Sequence, residues 1–237
     1  MIYVMSDIHG CYNKYIKMLQ QINFSDADDL YVLGDVIDRG DEPIKILQDM
    51  MMRPNVYPIM GNHEEIALRF LPRLIQEITD ENCSLMEEMI EDGLTIWLNM
   101  DGGDTTVKEF AKLSKEEKCD VLDYLQYDLR LYDIVEVNRT RYVLCHQGLP
   151  DGATLDKLIG HNDYSPIDFI SASLDPNKQY FDNKTYLVTG HTPTMTFGEK
   201  YKGKIIRNKN NILIDTGAVM DGNLACLCLD TGKEYYV

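Results

Sequence analysis

Short apolar runs alternate with amphipathic stretches along the N-terminal part of the chain, and each run stops on small or polar residues. Ile2–Met5 gives way to Ser6-Asp7-Ile8-His9-Gly10, and Leu30–Leu33 to Gly34-Asp35-Val36-Ile37-Asp38-Arg39-Gly40. Val56–Met60 gives way to Gly61-Asn62-His63-Glu64. Runs this short, rich in β-formers and closed by glycine or a polar residue, predict buried strands. Between them, Tyr12, Tyr15, Ile16 and Leu19 fall at helical spacing in a segment reaching Ile22. Pro43 opens a second helix, a favoured first-turn position, with Ile44, Leu47, Met50 and Met51 on its apolar face. Strand–helix–strand alternation predicts a mostly parallel sheet within an α/β fold.

The pattern then turns helical. Ile66, Phe70, Leu74 and Ile78 make one stripe, with a kink expected at Pro72. Leu85–Glu91 predicts another helix, ended near Gly93, and Trp97–Gly103 reads as a turn capped by Asp104 or Thr105. Ser114–Glu117 is a capping box ahead of a helix to Asp128. Residues 65–131 are read as a helical insertion, lying over the ligand edge or simply packed on the sheet, inside a single domain spanning residues 1–237.

Strands return afterwards. Leu131–Val137 and Tyr142–Cys145 flank Asn138-Arg139-Thr140 and predict a hairpin. Tyr142–Cys145 runs into His146, Tyr186–Val188 into Thr189-Gly190-His191-Thr192, and Ile212–Ile214 into Asp215-Thr216-Gly217. Residues 149–184 lack periodicity and read as a substrate loop or a structural wrap. Asp221-Gly222 and Asp230-Thr231-Gly232 punctuate short strands expected to build a second, antiparallel sheet.

Four of the five histidines fall at these strand ends. In open α/β sheets the strand carboxyl ends share one edge, where ligands bind, so residues remote in sequence can converge there. A carboxylate such as Asp35 at the end of a buried strand is costly unless something pairs it. A pair of metal ions, with Asp35 between them, answers that need. Asp, Asn and His together suit manganese, iron or zinc, whereas magnesium avoids imidazole. The ligands are too many for one tetrahedral ion, which implies two, an arrangement suited to phosphate ester hydrolysis.

Composition narrows the partners. A net charge of −16 argues against a general nucleic-acid binder, which needs a basic face. No run approaches the length of a membrane span, and the N-terminus lacks the pattern of a signal peptide. The six cysteines form no zinc-like pair; Cys226 and Cys228 share a strand face as buried thiols. A cytoplasmic location, with neither nucleic acid nor membrane as partner, is expected.

The motifs together carry a family resemblance: SDIHG at 6–10, GDVIDRG at 34–40, GNHE at 61–64, His146 in CHQG, and GHT at 190–192. The chain resembles the calcineurin-like metallophosphoesterases, in particular the phosphoprotein phosphatase branch with its bacterial and phage members, which WLNMDGGDT at 97–105 also resembles. The resemblance implies a two-sheet β-sandwich flanked by helices, with the site at one edge. It implies a first ion held by Asp7, His9 and Asp35, and a second held by Asp35, Asn62, His146 and His191. His63 would be the general acid, Asp38 would orient it, and Arg39, with Asn62, would bind the substrate's phosphate. Asp215 is expected only to shape the turn before Gly217, and His161 to be a surface residue.

One departure stands out. Members of the family usually carry a second phosphate-binding arginine between the CHQG-like motif and GHT. Residues 151–185 contain none, Ala172 and Ser173 stand about where it is expected, and Met60 precedes GNHE where bacterial members often have arginine. Either Lys157, Lys178 or Lys184 substitutes, or the natural substrate is not a typical phosphoprotein. The function implied is hydrolysis of phosphomonoesters, of a phosphorylated protein or a small phosphoester, in the manner of serine/threonine phosphatases. The alternatives are a dinucleoside-polyphosphate hydrolase and, from another class, a non-catalytic metal-binding scaffold.

Overall fold

The computed structural model describes residues 1–76, 79, 82, 84–160 and 164–237. Its strands are β1 (Ile2–Met5), β2 (Asp29–Val32), β3 (Val56–Pro58), β4 (Tyr132–Val137), β5 (Thr140–Cys145), β6 (Thr185–Thr189), β7 (Ile206–Asn208), β8 (Asn211–Leu213), β9 (Ala225–Cys228) and β10 (Glu234–Tyr236). They form two five-stranded sheets, ordered β10-β9-β1-β2-β3 and β4-β5-β6-β8-β7. β1, β2 and β3 run parallel, as do β5, β6 and β8, so both sheets deliver strand carboxyl ends to one edge.

Alternation along the strands sorts the apolar side chains into three cores. Val4, Leu33, Leu144, Val188 and Ile212 are buried between the sheets. Tyr3, Met5, Leu30 and Val32 face the opposite side, against helix α1 (Tyr12–Gln21) and helix α2 (Pro43–Met51). Val143, Cys145 and Leu187 face outward from the second sheet, where Leu158 and Phe169 of the 149–184 connection cover them. That connection is thus a structural wrap holding two short helices, α8 (Leu155–Ile159) and α9 (Pro166–Ile170).

The last strands differ from expectation. β9 pairs antiparallel with the free edge of β1, Tyr3 opposite Cys228 and Met5 opposite Cys226, and β10 pairs with β9. They complete the first sheet and do not build one of their own. Cys226 and Cys228 face the helices while Leu227 faces the second sheet, so both faces of β9 are buried.

Between β3 and β4 the chain forms α3 (Asn62–Leu74), α4 (Leu85–Glu91), α5 (Leu94–Asn99), α6 (Gly103–Phe110) and α7 (Lys115–Asp123). Pro72 lies in the last turn of α3; Ile78, Cys83 and His161 lie outside the described residues. Trp97 belongs to α5 and not to a turn, which is confined to the residues before Gly103. Gly102, at φ 85°, caps α6, and Asp104 sits in its first turn, so neither Asp104 nor Thr105 is the cap. The Ser114–Glu117 box forms as read: each backbone N–H meets the other's side chain, at 2.8 and 3.2 Å. The helix it starts widens after Asp123 and ends in a π-turn, Tyr124–Asp128.

Candidate active site

Every candidate residue sits at the carboxyl end of a strand. Asp7 and His9 follow β1, Asp35, Asp38 and Arg39 follow β2, Asn62 and His63 open α3 after β3, His146 follows β5, and His191 follows β6. The β1 and β2 loops are tied together by Asp7 N–H to Gly34 O (3.1 Å) and His9 N–H to Asp35 O (2.9 Å). Of eleven described non-glycine residues with positive φ, six are candidates: Asp7, His9, Asp35, Asp38, Arg39 and His191. Such strain, of order 1–3 kcal/mol each, persists only where surrounding structure overrides it, and it concentrates at functional sites. Gly34, at φ 79°, lets the β2 loop pass the next: a Cβ there would meet the Gly61 backbone at 2.6 Å.

The donor atoms gather into two groups around one carboxylate. Asp35 lies with His9 and His63 on one side, and with His146 and His191 on the other. His9 Nε2 is 3.6 Å from Asp35 Oδ2, and His146 Nε2 is 3.4 Å from Asp35 Oδ1. Asn62 Oδ1 lies 3.0 Å from His146 Nε2 and 2.9 Å from His191 Nδ1. Asp7 is held beside the second group by the His191 N–H, 2.9 Å from its Oδ2. It is not in the tight first group; His63 Nε2, 3.9 Å from Asp35 Oδ2, takes that place.

This donor set fits divalent metal ions. The imidazole nitrogens pointing away from the centre are already taken: His9 Nδ1 by Ile37 O (2.9 Å), His146 Nδ1 by Leu33 O (2.7 Å). Backbone carbonyls in that position fix the proton on Nδ1 and turn the Nε2 lone pair inward, as around metal-bound histidine; at His9 that lone pair accepts from Arg39. His146 Nε2, His191 Nδ1 and Asn62 Oδ1 then crowd within 3.2 Å of one another, mostly as acceptors. A cation resolves that crowding.

The electrostatics of the chain alone point the same way. Burial would raise the Asp35 carboxyl, but the imidazoles of His146, His63 and His9 hold it well below its usual range. Burial and then Asp215 push Asp7 well above its own. Burial pushes His9 down to about 3 and His191 to about 4. It acts on His146 too, yet Asp35 and Asp7 lift that group to about 10. Similar imidazoles around one carboxylate are thus driven in opposite directions. Asp215 caps the turn as expected, accepting from Gly217 N–H at 2.9 Å, and burial raises it to about 6.

His63 Nδ1 donates to Asp38 Oδ2 at 2.6 Å, with both groups buried. Burial opposes protonation of His63, but Asp38 and Asp35 outweigh it and raise its pKa. Arg39 lies between the two imidazoles, Nη1 2.8 Å from His9 Nε2 and Nη2 3.0 Å from His63 Nε2. The bonds of the expected lysine substitutes are made to other groups. Lys157 Nζ donates to Gly152 O at 2.9 Å. Lys184 precedes β6, at the end opposite His191, and the Lys178 carbonyl is held by Asn211 at the start of β8.

Three residues with no role read from the sequence support the site. Glu64, buried in the first turn of α3, accepts from Asp35 N–H and Gly61 N–H (both 2.9 Å) and from Val36 N–H (2.8 Å). Its signal was legible: glutamate three residues after Gly61 at a helix start is the acidic half of a capping box. Trp97 and Thr106 donate to Asp38 across 59 and 68 residues, for which the spacing carried no signal.

A sandwich that aims histidines, carboxylates and an amide at one edge is the frame of a metal-dependent phosphoester hydrolase. The chain belongs to the calcineurin-like phosphoesterase family, whose model matches residues 1–214. It is 30% identical over 229 residues to serine/threonine-protein phosphatase 2 of Escherichia coli, covering 94% of this chain and 90% of that protein. It is 25% identical over 251 residues to an asymmetrical bis(5'-nucleosyl)-tetraphosphatase of Geobacillus, covering 93% and 87%. A protein serine/threonine phosphatase structure from Saccharomyces cerevisiae shares the fold, with a TM-score of 0.59 at 14% identity, over 98% of this chain and 75% of that one.

Proposed function

We propose that the chain is a two-metal phosphomonoesterase acting on serine/threonine phosphoproteins or similar small phosphoesters. The observation that supports this most is the meeting on Asp35 of two groups of donor atoms, one of which includes His63 with its Asp38 partner. His9 and Asp35 would hold one ion, with Asp7 reaching it from beside the second group and His63 kept as the acid, and Asp35, Asn62, His146 and His191 would hold the other; manganese, iron or zinc suits these donors. Such ions, when bound, supply positive charge to the phosphoryl oxygens and acidify the attacking water.

The chain's own groups do the rest. Arg39 offers its planar fork to the phosphate oxygens. His63, its Nδ1–H donated to Asp38 and its imidazolium form favoured by Asp38 and Asp35, presents Nε2–H toward the centre, gives that proton to the departing oxygen and is left neutral with the Nδ1 proton. Residues 65–131 are read as an insertion within one domain, since α5 and α6 reach Asp38. Among the described residues no helix is long and apolar enough to cross a membrane, and we read the location as cytoplasmic.

A dinucleoside-polyphosphate substrate is the second reading, favoured by the tetraphosphatase relatives. A polyphosphate chain calls for several cations, whereas Arg39 stands without the expected second arginine. Assay of a phosphoserine peptide beside diadenosine tetraphosphate, with manganese, separates the two. Faster turnover of the tetraphosphate would overturn the leading reading. Equal inactivity of wild type and His63→Asn on both substrates would leave only the metal-binding scaffold.

A further inference from the structure

The corner between α5 and α6 makes four hydrogen bonds to Asp38 and Arg39. Trp97 Nε1 donates to Asp38 Oδ2 at 2.7 Å, the oxygen that also accepts from His63 Nδ1. The Thr106 hydroxyl donates to Asp38 Oδ1 at 2.5 Å and accepts from Asp38 N–H at 3.0 Å. Gly102 O accepts from Arg39 N–H at 2.9 Å. Both carboxylate oxygens therefore have fixed partners, and the group cannot rotate away from the imidazole without breaking them.

The same corner is keyed to the helix that carries His63. The Trp97 ring stacks on Phe70 of α3, centroids 5.6 Å apart and planes inclined by 17°. Trp97 and Thr106 are 1% and 0% exposed, so neither bond competes with water. Two glycines permit the close fit. A Cβ on Gly103 would meet the Trp97 ring at 2.4 Å, and one on Gly102 the Arg39 backbone nitrogen at 2.7 Å. The Trp97–Thr106 stretch thus has a physical account: it registers a loop from β2 against a helix after β3.

We propose that Trp97 and Thr106 are positioning residues for proton delivery, holding Asp38 so that His63 Nε2 faces the departing oxygen. The inference rests on His63 acting as the general acid. It predicts a dependence on the leaving group. An alkoxide such as that of serine needs a proton as it departs, whereas p-nitrophenolate leaves as a stable anion. Misaligning the pair should therefore slow phosphoserine hydrolysis far more than p-nitrophenyl phosphate hydrolysis.

The test compares kcat and KM on a phosphoserine peptide and on p-nitrophenyl phosphate, with manganese, for wild type, Trp97→Phe, Thr106→Val, Thr106→Ser and His63→Asn. Phenylalanine keeps the stack and loses the N–H; valine keeps the shape and loses the hydroxyl; serine restores it. The expected result is a roughly 10–100-fold loss of kcat on the peptide for Trp97→Phe and Thr106→Val, by analogy with groups that orient a metal-ligating side chain. On p-nitrophenyl phosphate the loss should be about threefold or less, KM should hold, and Thr106→Ser should recover most of the rate. If Trp97→Phe does not fold, the valine and serine variants decide alone. Equal losses on both substrates, or none, with His63→Asn still selective against the peptide, would overturn the positioning role only. A His63→Asn variant with no such selectivity would overturn the general-acid reading, and the positioning role with it.

Discussion

Glu64 Oε2 accepts the backbone N–H of Asp35 at 2.9 Å, so the first turn of α3 fixes the carboxylate on which both ligand groups meet. The same oxygen takes Gly61 N–H, and Oε1 takes Val36 N–H. Glu64→Gln must turn an amide N–H toward at least one of these donors. We expect a loss of about 1–3 kcal/mol in stability, the usual result of leaving a buried donor unpaired. Manganese affinity should fall about 10–100-fold, as for other groups that orient a ligand. Thermal melts and manganese titration check both.

Gly61 is a second dependence of Asp35 on the β3–α3 corner. A Cβ at Gly61 would lie 2.3 Å from Asp35 Oδ1 and 2.5 Å from its backbone nitrogen, and backbone has nowhere to move. Gly61→Ala should therefore displace the shared ligand by a large fraction of an ångström. A fall of about 100-fold in kcat/KM is expected, the scale set by a misplacement near 1 Å. Steady-state kinetics at saturating manganese check it.

The strand ends and the candidate residues were legible because each rested on a local pattern: an apolar run, a stop, a polar side chain. What was not legible depended on partners far along the chain. β9 could not be assigned to the first sheet, since only its pairing with β1 decides that. Trp97 looked like part of a turn because Gly102 and Gly103 follow closely, yet its indole meets Phe70 and Asp38. The left-handed backbone at Arg39 also left no mark in residue type, whereas Asp7 and Asp35 are of a type that tolerates it.

The lysines expected to replace a second arginine offer a further check. Lys184 leads into β6 at the end remote from His191, and the Lys178 backbone is anchored at the start of β8. Lys178→Ala and Lys184→Ala should leave kcat/KM on p-nitrophenyl phosphate unchanged. A loss in either variant, measured beside wild type, would place a cation at the phosphate that the fold puts elsewhere.

Metal binding should also stabilise the fold, because the ligands come from five separate strand ends and meet only in the folded chain. A single site at one hundred times its dissociation constant adds about 2.7 kcal/mol. For a chain of 237 residues that corresponds to a rise in Tm of roughly 5–10 °C. Melts of chelated protein with and without added manganese check this. A Tm indifferent to manganese would mean that the buried donors pair among themselves.

The most direct measurement is the manganese content of reconstituted, desalted protein, read by elemental analysis and by the paramagnetic resonance of coupled ions. Wild type should bind two manganese ions per chain and show spin coupling between them, and Asp35→Asn should lose the coupling and at least one ion. A single ion per chain, or a coupled pair that survives Asp35→Asn, would contradict the account.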